Sequence, residues 1–126
     1  MILGTGIDLA HLSRIEEAMN RLGDRFRDRI FTEEEIRYCE SKSHPFESYA
    51  ARFAAKEAAM KALGTGWSSG VGWREIEVIA SDHGPPRIRF AGNALKRFEQ
   101  IGASTIHLSI SHSDDLAIAQ VILESE

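Results

Sequence analysis

A chain of 126 residues with 43% hydrophobic and 27% charged positions has the make-up of an ordinary globular domain, which excludes collagen-like repeats and long disordered tails. About two-thirds of the unfolded surface is buried on folding at this size, enough for one core, so a single domain over residues 1–126 is expected. The formal net charge of −4 disfavours nucleic acid as a partner and requires any anionic ligand to be held by a local basic patch. Cys39 is the single cysteine, and Met1-Ile2-Leu3-Gly4 opens no basic-then-apolar leader, so a reducing cytoplasm is expected. The longest apolar run, Leu116 to Leu123, is interrupted by Gln120 and falls far short of the roughly 20 residues of a membrane helix, so no membrane is expected either.

Along the chain, Leu3, Ile7 and Leu9 share one parity and Gly4, Gly6 and Asp8 the other, which predicts a half-buried strand ending at Asp8. Ser13-Arg14-Ile15-Glu16 has the spacing of a capping box, and the amphipathic stretch after it predicts a helix to Leu22-Gly23. Thr32-Glu33-Glu34-Glu35 repeats that signal and predicts a short helix through Tyr38, with its acids where the helix dipole favours them. Pro45 breaks the chain before a run from Phe46 to Leu63 that is free of Gly and Pro and rich in Ala, a strong helix pattern stopped by Gly64. At about 100° per residue, Phe46, Tyr49, Phe53 and Met60 form one stripe. Ala51, Ala55, Ala58, Ala59 and Ala62 form a second face nearly opposite, so the helix is expected to be buried on both sides. Trp73 to Ala80 and Arg87 to Phe90 read as strands around His83-Gly84-Pro85-Pro86, and Asn93 to Ile101 reads as a helix. Ile106, Leu108 and Ile110 alternate with polar residues, and after the Ser113-Asp114-Asp115 turn the run Leu116 to Leu123 completes a hairpin.

Glu57 and Lys61 lie along one edge of the aromatic stripe and Arg52 and Lys56 along the other, both pairs at i to i+4 spacing. By periodicity alone, Glu57 and Lys61 make an ordinary surface ion pair. The loop in which Gly64, Gly66, Gly70 and Gly72 bracket small residues can turn backbone amides toward a phosphate, or can simply cap the helix. It is not a dinucleotide fingerprint, which needs a strand before it, nor a Walker loop, in which the lysine follows the glycines. Asp8 and Glu57 are the plausible carboxylate pair for Mg²⁺, an ion commonly held by one or two acids together with substrate phosphates and water. His112, at the end of a strand, is either a structural hydrogen-bonding residue or a ligand residue. Cys39 has no activating neighbour in sequence, the histidines show no zinc spacing, and Ser109 and Ser111 sit in no nucleophile elbow.

Four segments taken together, Gly6-Ile7-Asp8, Arg52-Phe53-Ala54-Ala55-Lys56-Glu57-Ala58, Lys61-Ala62-Leu63-Gly64-Thr65-Gly66 and Leu108-Ser109-Ile110-Ser111-His112-Ser113, resemble holo-[acyl-carrier-protein] synthase, the small single-domain class of 4′-phosphopantetheinyl transferases. The resemblance extends over nearly the whole chain, through Arg14-Ile15, Phe31-Thr32 with Glu35, the Trp73 to Glu77 strand, Gly84 with Pro86, and Ala117 to Glu124. It departs at Glu75, where a shorter acid is common, and in the loop from Trp67 to Gly72.

The resemblance implies an α+β domain, an antiparallel sheet packed against a long central helix, and a homotrimer with active sites between subunits. The alanine face of the helix is compatible with close packing in that trimer. The implied activity is transfer of the phosphopantetheine arm of coenzyme A to a serine of apo acyl carrier protein, with release of adenosine 3′,5′-bisphosphate, in support of fatty acid biosynthesis. Asp8 and Glu57 would hold Mg²⁺ against the pyrophosphate, in keeping with a chemistry whose main demands are positioning and charge neutralisation. Lys61 would steady the leaving phosphate or the attacking hydroxyl, with Glu57 or a metal-bound water as proton acceptor. Arg52, Lys61, Gly64, Thr65, Gly66, Pro86 and His112 would contact coenzyme A, with Lys42 and His44 adding to its pocket. Arg14, Arg21 and Arg25 would form a basic patch for the acidic carrier. Two other readings fit the same residues: a Mg²⁺-dependent phosphohydrolase of coenzyme A or a nucleotide, and a non-enzymatic module that binds coenzyme A or acidic helices.

Overall fold

In the computed structural model, which describes residues 1–65 and 70–126, strand β1 (Ile2–His11) leads into helices α1 (Leu12–Leu22), α2 (Asp24–Ile30) and α3 (Glu33–Glu40), then into the long helix α4 (Pro45–Leu63). A 3₁₀ turn, Trp73–Glu75, precedes strands β2 (Ile76–Ile79) and β3 (Arg87–Phe90), helix α5 (Gly92–Gln100), and strands β4 (Thr105–Ser113) and β5 (Leu116–Glu124). The strands form two antiparallel sheets, one three-stranded in the order β1-β5-β4 and one of β2 with β3. The expected α+β architecture, with a sheet packed on the long helix, is therefore present.

Local chemistry explains both the agreements and the departures. Thr32 and Glu35 make the expected capping box, with Thr32 Oγ1 accepting from the Glu35 amide at 3.2 Å and Glu35 Oε1 from the Thr32 amide at 2.9 Å. Ser13 caps nothing, because α1 already starts at Leu12; its amide and hydroxyl instead donate to Asp115 at 2.9 and 2.6 Å, tying the helix to the β4–β5 turn. Pro45 is the first residue of α4 and not a break before it, a place where its missing N–H costs no helical bond. The helix over Asp24–Ile30 has no counterpart in the sequence reading, and Trp73–Glu75 is a turn where a strand was expected. Glu75 accepts there from the amides of Gly72 and Asn93, at 2.8 and 2.9 Å, so its longer side chain links the turn to the start of α5.

The faces of β1 are the reverse of the expected ones. Gly6 and Ala10 are buried, while Ile7 and Leu9 stand 58% and 57% exposed, and Asp8 lies within the strand, not at its end. The reason is the alanine face of α4, which packs within the chain on its own sheet. Ala54, Ala55, Ala58 and Ala59 are fully buried, as are Ala117, Ala119, Val121 and Leu123 of β5. A Cβ at Gly6 would run into the Ala58 carbonyl oxygen, and one at Gly4 into that of Ala62. The helix backbone thus lies directly on the strand at these two positions, leaving no room there for a side chain. The alanine face is accordingly not free to pack against another subunit.

On its other side α4 meets a core of aromatic rings. Phe31 and Tyr49 lie 4.9 Å apart between centroids and Phe53 and Trp73 5.1 Å, a spacing favourable for ring contact. Within this core sits Lys56, which the sequence placed along an edge of the aromatic stripe and which is wholly buried. Its ammonium pairs with Glu35 at 2.6 Å and donates to the carbonyls of Ile76 and Trp73 at 2.6 and 3.1 Å. Glu35 also accepts from the Val78 amide at 2.8 Å. Burial lowers the Lys56 pKa and Glu35 opposes that shift, and the ammonium has a carboxylate and two carbonyls to offset the cost of its burial.

The close approach at Gly6 sets a stability test. Gly6→Ala is expected to lower unfolding stability by about 3 kcal/mol, the upper part of the range for overpacking, since the obstruction is backbone and cannot rotate away. Urea titration followed by circular dichroism measures it, and a loss below about 0.5 kcal/mol, the range of neutral surface substitutions, would contradict the packing described.

Candidate active site

Strand β1 runs antiparallel to α4, with Gly4 over Ala62 and Gly6 over Ala58. The next residue of that parity is Asp8. Helix side chains lean toward the helix N-terminus, so Lys61 reaches back along the strand. Its ammonium lies 2.9 Å from Asp8 Oδ1 and donates to the Ile7 carbonyl at 3.0 Å. Lys61 therefore pairs with a residue distant in sequence, in place of the surface pair with Glu57. The Asp8 carboxyl is nearly buried and the Lys61 side chain about half exposed, so the group opens to solvent on one side.

Glu57 completes the group. Its carboxyl is pushed up to about 7, first by burial and then by the hydrogen bond and charge of Asp8, with Lys61 pulling the other way. Two carboxyls held this close favour a cation between them or a proton on one of them. Hard oxygen donors drawn together beside an open face fit Mg²⁺, with substrate oxygens and water as its remaining ligands. Among the described residues there is no cluster of three or more acidic, histidine or cysteine side chains that would cage a metal without substrate.

A second group lies on the opposite flank of α4. Arg52 precedes Lys61 by nine residues, about half a turn around the helix axis. Arg52, Pro86 and His112 line one cavity of about 460 Å³ with Lys42 and His44, joined by Tyr38 of α3. Asp8, Glu57 and Lys61 do not line it. The strand register agrees: Asp8 pairs with Ala119, and Ala119 with Ile110, so the acid and the His112 end of β4 stand on opposite edges of the three-stranded sheet. One chain brings Asp8, Glu57 and Lys61 together, and Arg52, Pro86 and His112 together, but not the two sets.

Gly64, in the left-handed conformation with φ 73°, ends α4, and with Thr65 it lines a third recess of about 510 Å³ shared with Asn93, Lys96 and Arg97. Arg97 Nε donates to the Leu63 carbonyl at 3.0 Å, satisfying a free acceptor at the helix end. Gly66 lies outside the described residues. Arg14 and Arg21 are exposed on α1 and Arg25 on α2, and among the described residues none of the three is in an ion pair, because Asp24 pairs with Arg27 at 3.6 Å. Arg21 and Arg25 border a groove of about 620 Å³ with Leu22, Phe26, Arg29 and Trp73. The sequence reading missed Tyr38, Phe26 and Arg29 at these sites. Tyr38 had a usable signal, since it stands one helical turn after Glu35.

The sequence model of the 4′-phosphopantetheinyl transferase superfamily matches residues 4–121. The chain is 52% identical over 124 residues to a holo-[acyl-carrier-protein] synthase of Koribacter versatilis, covering 98% of this chain and 99% of that one. Among solved structures, the Neisseria meningitidis holo-[acyl-carrier-protein] synthase superposes with a TM-score of 0.89 at 38% identity, over 99% of this chain and 100% of that one. The Bacillus anthracis synthase, in complex with CoA (3′,5′-ADP), superposes with a TM-score of 0.81 at 41% identity, over 100% of this chain and 99% of that one. With the strand-borne Asp8 beside Glu57 and Lys61 and full-length likeness in both sequence and fold, the chain belongs to the 4′-phosphopantetheinyl transferase superfamily and is of the holo-[acyl-carrier-protein] synthase kind.

Proposed function

We propose that this protein transfers the 4′-phosphopantetheine arm of coenzyme A to a serine of apo acyl carrier protein, releasing adenosine 3′,5′-bisphosphate, in the cytoplasm and in support of fatty acid synthesis. The observation that carries this reading is the meeting of Asp8, Glu57 and Lys61 at the solvent-facing edge of β1. The serine oxygen attacks the phosphorus bearing the pantetheine arm, and the bridging P–O bond breaks toward the adenosine bisphosphate. Asp8 and Glu57 would hold Mg²⁺, which when bound neutralises charge on the pyrophosphate oxygens. Lys61 would stabilise the charge that builds on the transferred and leaving groups, and Glu57 would accept the serine proton.

The reading extends to a homotrimer with active sites between subunits. Two observations support it. The outer face of the three-stranded sheet leaves Ile7 and Leu9 exposed beside the half-buried Ile118 and Ile122, an apolar surface suited to a second copy. The carboxylates and the Arg52 cavity lie on opposite flanks of α4, so a site using both needs carboxylates from one subunit and the cavity from its neighbour. Coenzyme A would then contact Arg52, Pro86 and His112 of one chain, and Lys61 with the Gly64-Thr65-Gly66 segment of the next. The carrier's acidic helix would dock along Arg14, Arg21 and Arg25, where unpaired guanidinium groups flank the apolar groove.

Mass spectrometry of apo carrier protein incubated with coenzyme A, Mg²⁺ and this protein tests the reaction itself, the expected product being heavier by about 340 Da, the transferred group. Asp8→Ala and Glu57→Ala should each cut turnover by about a hundredfold or more while unfolding at the wild-type midpoint. Near-normal activity with unchanged metal dependence in either variant refutes the metal assignment, and free phosphopantetheine released without carrier would make the protein a phosphohydrolase.

Co-refolding the inactive variants Asp8→Ala and Arg52→Ala in equal amounts should restore about a quarter of wild-type activity, the share of sites that draw both intact halves from different chains in a cyclic assembly. No recovery in mixed trimers would place the whole site within one chain.

Arg14→Glu should raise KM for the carrier several-fold with little change in KM for coenzyme A, and the wild-type carrier KM should rise with salt. Equal carrier KM for wild type and Arg14→Glu across a salt series would remove the docking assignment and leave the chemistry at Asp8 and Glu57 untouched.

A further inference from the structure

The cavity on the Arg52 flank contains an arrangement that binding of a ligand anywhere else in the molecule does not explain. Arg52 is 5% exposed, and among the described residues its Nε has no hydrogen-bond partner and its guanidinium is in no ion pair. Burying a guanidinium this way is costly unless something compensates it. Arg27, Arg37 and Arg89 are each matched by a carboxylate. What faces Arg52 is the ring of Tyr38, with Cζ 4.1 Å from the ring centroid, and the Lys42 ammonium lies against the same ring at 4.6 Å. Lys42 too is in no ion pair among the described residues, and the one acid lining this cavity, Glu47, pairs with neither cation.

An aromatic face attracts cations through its quadrupole but, unlike a carboxylate, does not cancel their charge. Tyr38 can therefore contact both cations of this cavity and leave the charge of each available to a ligand. Its own position is fixed from below: Glu35, one turn earlier on α3, is locked by the buried pair with Lys56 and by the Val78 amide. A dry guanidinium with a free N–H, together with an ammonium and His112 lining the same cavity, suits a doubly charged phosphomonoester, which can use several cationic donors at once.

We propose that Tyr38 is a positioning residue for substrate selection: its ring holds Arg52 and Lys42 as an unpaired cation couple that receives the terminal 3′-phosphate of coenzyme A, so that the protein's preference for coenzyme A over 3′-dephospho-coenzyme A depends on an aromatic ring at position 38. This rests on the coenzyme A reading above and adds to it a residue that does not itself contact the phosphate.

The test compares KM for coenzyme A and for 3′-dephospho-coenzyme A in wild type, Tyr38→Phe, Tyr38→Leu and Lys42→Met, using the carrier mass assay. Wild type should prefer coenzyme A, and Tyr38→Phe, which keeps the ring, should retain that preference. Tyr38→Leu should lose about tenfold of it, the size of a desolvated cation–π contact, with the change in KM for coenzyme A and not in kcat. The exposed Lys42→Met variant guards against misfolding of Tyr38→Leu and should show a selective loss in the same direction. Equal KM changes for the two substrates in Tyr38→Leu, an unchanged preference in Lys42→Met, or a wild type indifferent to the 3′-phosphate overturns the proposal. If wild type transfers nothing to the carrier, the transferase reading fails by itself. Calorimetry of adenosine 3′,5′-bisphosphate against adenosine 5′-monophosphate then still decides the role of Tyr38: selective weakening of the bisphosphate in Tyr38→Leu supports it, and equal weakening or none refutes it.

Discussion

The rest of the structure depends on the direct contact of the α4 backbone with β1. Gly4 and Gly6 carry no side chain, and the alanines facing them carry the smallest one, so helix and strand approach until their backbones nearly touch. Such an approach fixes the helix along its axis as well as across it. Because the helix runs antiparallel to the strand, the next residue of that parity after the two glycines, Asp8, comes within reach of Glu57 and Lys61. A larger residue at either glycine would lift the helix and loosen the very distances on which charge neutralisation depends, since electrostatic groups act strongly only when held in place beforehand.

Charge in this molecule is divided between two kinds of site. Around Lys56 every charge and donor is matched: Glu35, two carbonyls and the Val78 amide close the network inside the core, and nothing is left over for a ligand. Around Arg52 the matching is left incomplete, with an orphaned Nε and an aromatic ring where a carboxylate would have ended the matter. The two lysines of the same helix also divide. Lys56 faces the core and serves the fold, whereas Lys61, five residues on and about 140° further round the axis, faces Asp8 at the open edge. A charged residue in a helix acquires its role from the side it turns to, and composition carries no trace of that.

This is why some of the site was legible in the sequence and some was not. The long helix, the hairpin at the C-terminus and the Thr32–Glu35 cap follow from local rules, periodicity and capping chemistry, and they are where those rules put them. Lys56 defeated the same rules because its burial depends on Glu35, twenty-one positions earlier, and on backbone carbonyls of a turn and strand that only folding brings near. The faces of β1 were read backwards for a similar reason. Alternation predicts that the side with Leu3, Ile7 and Leu9 is covered, but a helix lined with alanine selects the glycine side and leaves the apolar side bare. Asp8 and Glu57 were legible as a candidate carboxylate pair, but helical spacing paired Lys61 with Glu57, and only the resemblance of their motifs joined all three.

The bare side of β1 bears on the proposed assembly. A chain of this length supports one core, and here that core surrounds α4, between the inner face of the sheet and the aromatic rings, so among the described residues no second layer covers Ile7 and Leu9 or fully covers Ile118 and Ile122. The same shortage separates the carboxylates from the Arg52 cavity, because the one helix that could carry both is packed on the sheet between them. The proposed cyclic assembly, built on the outer sheet faces, would answer both shortages together. It would cover the apolar strand face, and by placing the β1 edge of one copy beside the β4 edge of the next it would set the carboxylates against a neighbouring cavity. Oligomerisation would then be part of how the active site is made, and the apolar side chains on the outer face of β1 and β5 would serve the chemistry proposed at Asp8 as directly as the residues that touch it.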